Sequence, residues 1–314
     1  MPATPSLNRR RFLKVSAASG LALAAAALPS LRAVEAFGRA GAPRLLLSLA
    51  AYSFRDYFVD ANHARSPQAD GAKRIDMFQF IDYCAAQGCA GAEVTSYYFP
   101  RELTDEYLLK LRRHAFLRGV ALSGTAVGNN FTWPLGEKRE AEIARVKKWV
   151  DHASLLGTSH IRIFAGSPQG VAREEAVKLC LSAIEECAEY AGRKGVFLGL
   201  ENHGGIVAEP EGILEIIRAV KSPWVGINLD TGNFRTADPY ESLVLCAPYA
   251  VNVQLKGEIH RRGEKPERAD LGRLANILRE AHYQGYVALE YESAENPWDA
   301  VPVLLKSMKA AFAA

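Results

Sequence analysis

The chain has 314 residues, 49% of them hydrophobic, and a formal net charge of +3. That length and apolar share suffice for one large core, so no second domain is required. Residues 1–36 hold five Arg or Lys against one Glu, which leaves the rest at −1 and excludes the basic footprint of a nucleic-acid binder.

Asn8-Arg9-Arg10-Arg11-Phe12-Leu13-Lys14, followed by an Ala/Leu-rich run from Val15 to Leu28 and by Pro29, resembles a twin-arginine export signal. Val34-Glu35-Ala36 offers a cleavage site after Ala36, dividing the chain into a signal peptide, 1–36, and a folded part, 37–314. The apolar run falls short of the roughly 20 residues a membrane span needs. The reading is therefore a chain exported folded to the periplasm or another extracytoplasmic space, with the twin-arginine machinery as partner and no stable membrane anchor.

From residue 45 onward strand and helix patterns alternate without a break. Strands are predicted at Leu45–Phe54, Ala92–Phe99, Ala121–Val127, His160–Ala165, Phe197–His203, Val225–Asp230, Ala250–Lys256 and Tyr286–Glu292. Helices are predicted at Ile75–Gln87, Thr104–Arg118, Glu137–Leu156, Arg173–Lys194, Pro210–Val220, Pro239–Cys246, Asp270–Gln284 and Pro297–Ala311. Thr104 and Asn296 are placed as N-caps, and Gly88, Gly157, Gly195 and Gly285 as stops. Eight strand–helix pairs between residues 45 and 314 fit a single (β/α)8 TIM barrel, of class α/β, better than a doubly wound sheet. The latter would need a glycine-rich phosphate turn after its first strand, where Ser53-Phe54-Arg55-Asp56 stands instead.

The five cysteines, Cys84, Cys89, Cys180, Cys187 and Cys246, lack metal-type spacing. Cys180 and Cys187 would stand two helical turns apart, roughly 10 Å, too far to bridge. All five read as small buried apolar groups. His63, His114, His152 and His282 fall on loops or helices and read as ordinary.

In such a barrel the C-terminal strand ends share one mouth, where function collects. Strand five delivers Glu201 and His203 on one side, strand six Asp230 ahead of Asn233, strand seven Gln254 and Lys256, and strand eight Glu290 and Glu292. Carboxylates converging on an apolar-walled mouth repel one another and resist ionisation, a conflict that a divalent cation removes. Oxygen donors with an amide or imidazole point to Mn²⁺, with Mg²⁺ or Co²⁺ as alternatives, and the absence of cysteine at strand ends argues against structural zinc. Arg162, inside the apolar run Ile161-Arg162-Ile163-Phe164, must face the barrel interior and be paired, with Glu93 as the expected partner; it is either a structural ion pair or a substrate clamp. Lys256 either neutralises a substrate oxyanion or pairs with Glu258. Asn129, Asn130, Tyr97, Tyr98 and Trp133 are candidates for pocket lining, and His260 and Arg261 for a loop over the site.

Leu200-Glu201-Asn202-His203, Asn228-Leu229-Asp230-Thr231-Gly232-Asn233, Asn252-Val253-Gln254-Leu255-Lys256 and Ala288-Leu289-Glu290 resemble the strand-five to strand-eight motifs of the xylose isomerase-like TIM-barrel superfamily, within it the sugar phosphate isomerase/epimerase group. The resemblance implies one divalent metal held by Glu201, Asp230 and Glu290, with Gln254 standing where the family has histidine. Gln254 or His203 would complete the set. It also implies that Glu201 and Glu290 act as acid and base on opposite faces of a small sugar or keto-sugar, through an enediolate. His203, Lys256, Arg162 and Asn233 would contact the substrate. The metal reading requires Glu201, Asp230 and Glu290 to touch one common atom. A lyase or dehydratase in the same fold and a non-catalytic sugar-binding barrel are the rival readings. An endonuclease IV-like enzyme is disfavoured, since strands two and three supply no zinc-binding histidines. Substrate identity, its phosphorylation and oligomeric state stay open.

Overall fold

The computed structural model describes residues 35–60 and 73–313. The arginine run and apolar segment of the expected export signal, and His63, lie outside them. The eight strands are β1 (Arg44–Ala50), β2 (Gly91–Thr95), β3 (Ala121–Ala126), β4 (His160–Ile163), β5 (Phe197–Glu201), β6 (Val225–Asp230), β7 (Ala250–Leu255) and β8 (Gln284–Leu289). They pair in parallel, each with its neighbours in sequence, and β8 closes against β1 with Ser48 opposite Ala288. The (β/α)8 barrel expected from the alternation is the fold observed.

Around it lie α1 (Met77–Ala86), α2 (Asp105–Leu117), α3 (Glu137–Leu156), α4 (Arg173–Arg193), α5 (Pro210–Ala219), α6 (Pro239–Cys246), α7 (Leu271–Glu280) and α8 (Pro297–Ala313). Each turns an apolar stripe to the strands, as Ile213, Ile216 and Ile217 of α5 show by complete burial. The Thr104 hydroxyl accepts from the Tyr107 amide at 3.2 Å and the Asn296 side chain from the Trp298 amide at 3.0 Å, as their capping positions demand. All five cysteines are free and buried. No helix among the described residues is long and apolar enough to cross a membrane.

Two departures from the sequence reading bear on the site. Most strands stop short of the predicted end. Tyr52 and Tyr97 sit in 3-10 turns just past β1 and β2, while His203, Lys256, Glu290 and Glu292 follow the last paired residue of β5, β7 and β8. Some site side chains therefore stand just past the paired strands, while Arg162, Glu201 and Asp230 stand on them. The second departure is α7, which ends at Glu280 with Asp270 as its cap, leaving Gln284 to open β8. The chain reverses at His282, which adopts φ 51°, a left-handed conformation that needs no glycine when a short polar ring can tolerate it.

The segment before β1 packs on the opposite end of the barrel. Phe37 meets Phe197 edge-on at 6.3 Å, and the Arg39 guanidinium lies over the rings of Phe37 and Tyr283 while bonding the Ala250 carbonyl. Higher in the barrel, His160 is buried between Gly124 and Gly199; a Cβ at either position would come within 2.7 Å of its ring nitrogens. Burial, with Arg162 nearby, depresses its pKa to about 3, so the ring stays neutral.

Candidate active site

A cavity of about 220 Å³ opens at the C-terminal mouth, lined by Tyr52, Tyr97, Arg162, Phe164, Glu201, His203, Asn233, Lys256, Glu290 and Glu292. Seven strand ends thus contribute, all but that of β3, as this fold arranges. Of the expected substrate contacts, Arg162, His203, Lys256 and Asn233 all reach it. Tyr52 and Phe164 were not foreseen; both follow directly on a strand end, which is the signal that would have found them.

Arg162 forms the first anchor. Its Nε lies 2.9 Å from Glu201 Oε2, and its guanidinium stacks on the Phe164 ring at 3.9 Å. Burial alone would lower its pKa, but Tyr97, Glu201 and Glu290 more than reverse this, so the charge is fixed. Its partner is therefore Glu201 and not Glu93, a correction that follows from the position of Glu201 at the last residue of β5, level with the guanidinium. The other carboxyl oxygen, Glu201 Oε1, accepts a hydrogen bond from Asn233 Nδ2 at 2.8 Å. Burial still pushes the Glu201 carboxyl up to about 8, against the pull of Arg162 and with help from Asp230 and Glu290.

Lys256 forms the second anchor. Its Nζ lies 2.6 Å from Glu290 Oε2, 2.7 Å from Glu292 Oε2 and 3.3 Å from Asp230 Oδ2. Its backbone amide is fixed by the Thr231 hydroxyl at 2.9 Å. Burial opposes the charge, but these three carboxylates outweigh it and hold the ammonium well above its ordinary pKa. The expected pairing with Glu258 gives way to a ring of acids from β6 and the end of β8. Asp230 is fully buried, its Oδ1 accepting from the Gly232 amide at 2.8 Å, and burial raises it to about 7 against the pull of Lys256. Asn202, on the other side of its strand from Glu201 and His203, ties β5 to β6 through the Asp230 backbone, with both bonds at 2.9 Å. The His203 ring packs on Phe164 at 4.6 Å, and burial lowers its pKa, with Arg162 adding to the effect.

Gln254 faces elsewhere than expected. Its Oε1 accepts from Asn228 at 2.6 Å and its Nε2 donates to Glu93 Oε1 at 2.6 Å, while Asn252 donates to Glu93 Oε2 at 2.8 Å and to Asn228 at 2.8 Å. Register shifts fall between Ala92 and Glu93 and between Ile227 and Asn228, at two members of this network. Burial, with Glu290 adding to it, pushes Glu93 up to about 7, while the amides of Gln254 and Asn252 oppose the rise.

These residues do not fit the divalent site implied by the resemblance. Asp230 and Glu290 do share an atom, but it is Lys256 Nζ, and Glu201 bonds Arg162 and Asn233 instead. The Gln254 side chain is bonded to Asn228 and Glu93 and does not line the cavity. Among the described residues no three His, Cys, Asp or Glu side chains are placed to hold one ion. Of the other candidates, Tyr97 lines the cavity, Tyr98 is core, stacked on Phe58 at 4.5 Å, and Asn129 ties its loop to Phe164. Trp133 packs under Lys138 at 4.5 Å, and Arg261 pairs with Glu267 and Asp238 beside a short ribbon, Glu258–Ile259 with Glu267–Arg268.

The barrel and the acid-rich mouth define a class, and comparison with known proteins agrees: the xylose isomerase-like TIM barrel family matches residues 81–310. The chain belongs to that family. Among curated relatives it is 25% identical over 209 residues to a Xenopus laevis protein classed as a hydroxypyruvate isomerase, covering 60% of this chain and 76% of that one. It is 27% identical over 191 residues to 3-oxo-isoapionate decarboxylase of Pectobacterium atrosepticum, covering 60% and 58%. Among solved structures, D-psicose 3-epimerase of Clostridium cellulolyticum shares the fold at a TM-score of 0.67 and 16% identity, over 85% of this chain and 97% of that one. The relatives thus include isomerases, epimerases and a decarboxylase.

Proposed function

We propose that the chain is an isomerase or epimerase of a small sugar or keto-sugar, moving a proton on and off the carbon beside a carbonyl. The observation that carries this reading is that Glu201 and Glu290 line one small cavity together with the fixed cations Arg162 and Lys256. Burial makes Glu201 hold a proton more tightly than an ordinary carboxyl, which suits a proton donor, while Glu290, paired with an ammonium, suits the acceptor. The Glu290 carboxylate takes the C–H proton, the electron pair forms the carbon–carbon double bond of an enediolate, and the carbonyl oxygen takes up the displaced pair. A proton returned to the original carbon on its other face, with the carbonyl re-formed, completes epimerisation; a proton returned to the former carbonyl carbon, with the neighbouring hydroxyl passing its proton to the oxyanion and becoming the new carbonyl, completes isomerisation. Arg162, Asn233 and His203 are placed to hold substrate oxygens, and Phe164 and Tyr97 give the cavity an apolar wall.

The test is exchange of substrate C–H for deuterium in D2O, followed by NMR, with D-fructose, D-tagatose and hydroxypyruvate as first probes. Exchange with a new sugar product supports the reading. Loss of CO2 or water instead assigns the lyase alternative, and saturable binding without exchange assigns the sugar-binding one. For the leader we propose folded export by the twin-arginine route. Cell fractionation should find the protein outside the cytoplasm, and Arg9→Lys with Arg10→Lys should retain it inside; equal distribution of both would refute export.

A further inference from the structure

We infer that Lys256 Nζ stands where a metal-dependent barrel of this kind would hold its divalent ion, so that the cation of the site is part of the chain itself. The binding half of this inference rests on geometry alone; only its chemical half rests on the reading given above.

Three observations converge. The ammonium contacts Asp230, Glu290 and Glu292, acids from two strand ends that would otherwise repel at close range in a buried space. Gln254, two residues earlier on the same strand, is turned away from these acids and bonded on both sides, to Asn228 and Glu93. Arg162 occupies Glu201, the remaining acid. Two side-chain cations thus answer the charge of four carboxylates, and the donors left over do not converge. A Cβ at Gly232 would come within 2.8 Å of the Lys256 stem, so this glycine leaves the room the lysine needs to reach the acids. Lys256 is only 8% exposed yet lines the cavity, so a substrate oxygen can approach the ammonium from the open side. There the N–H that Glu290 and Glu292 do not take donates to the oxyanion as proton removal shifts the carbonyl electron pair onto oxygen, the task otherwise given to a Lewis acid.

The experiment is a Mn²⁺ titration of the full chain, read by electron paramagnetic resonance of free Mn²⁺ and by melting temperature, beside metal analysis of the purified protein. The wild type should carry no stoichiometric divalent ion, and millimolar Mn²⁺ should leave its melting temperature unchanged. Lys256→Met should bind Mn²⁺ on the order of 100-fold more tightly than the wild type and be stabilised by it, because three acids are then freed. Once a substrate is known, wild-type exchange should also survive EDTA. One equivalent of metal in the wild type, or tight Mn²⁺ binding by it, would overturn the inference; so would a folded Lys256→Met chain that binds no better. Should the variant fail to fold, the wild-type titration and metal content still decide. If no sugar exchanges in D2O, the functional reading falls while the titration still judges this one.

Discussion

The carboxylates at the barrel mouth and the carboxylate inside the barrel face the same cost of burial and meet it by opposite means. At the mouth, Glu201, Asp230, Glu290 and Glu292 are answered by charge, from Arg162 and Lys256. Inside, Glu93 is hydrogen-bonded by amides, from Gln254 and Asn252, linked through Asn228, and the Arg162 charge acts on it only as the weakest of the influences. Strand β7 and the residue after it run across both regions: Asn252 and Gln254 serve the interior, and Lys256 serves the mouth. Amides satisfy hydrogen bonds without adding charge, which rigidifies a site that no substrate reaches. Ammonium and guanidinium groups leave residual charge beside a cavity, where it can act on a ligand. The difference separates a structural network from a reactive one.

The comparison breaks if mutations in the two regions have the same signature. The largest effect belongs to the mouth. Glu201→Gln and Glu290→Gln should each lower the exchange rate by ~10²–10⁴-fold, with melting temperatures near that of the wild type. Next comes the interior, where Glu93→Ala strands two buried amide groups and should cost about 1–3 kcal/mol of stability by urea titration. The rate per folded molecule should stay within a few-fold there.

A pH series sharpens the contrast. Burial raises Glu93 from 4.5 to about 7, so the folded chain holds that proton more tightly than the unfolded chain. Its contribution to stability is complete below pH 4.5 and is lost as pH rises through about 7. Asp230 and Glu201, also raised, act with the same sign, and the three together outweigh His160, whose lowered pKa acts with the opposite one. The melting temperature should therefore be lower at pH 8 than at pH 5, and Glu93→Gln should shrink that difference; a melting temperature that climbs over this range contradicts it. The smallest effect is expected from Glu292→Gln. Its side chain is 41% exposed and Lys256 keeps Asp230 and Glu290, so the loss should stay below about 1 kcal/mol.

Much of this was legible in the residues. Strand β6 and helices α3 and α6 have the predicted bounds, because their ends are written in local chemistry: Gly157 in left-handed conformation after α3, Pro239 at the first position of α6, and a Thr-Gly pair after Asp230. The alternation that places Glu201 and His203 together and Asn202 apart is likewise a property of the extended chain. Less legible was the end of α7, where Gly285 was read as the stop and His282 makes the reversal.

By itself, then, the sequence determined the barrel, the order of its strands and which acids arrive at the mouth, since periodicity and strand-end position are local and do not depend on distant partners. Only the tertiary structure decided who neutralises whom. Arg162 could meet Glu93 or Glu201, Gln254 could face a ligand or an interior acid, and Lys256 could turn to Glu258 or to Asp230, Glu290 and Glu292. Side chains of that length reach several neighbours across the barrel, and strand register, which shifts at Glu93 and at Asn228, sets which neighbours lie level with them.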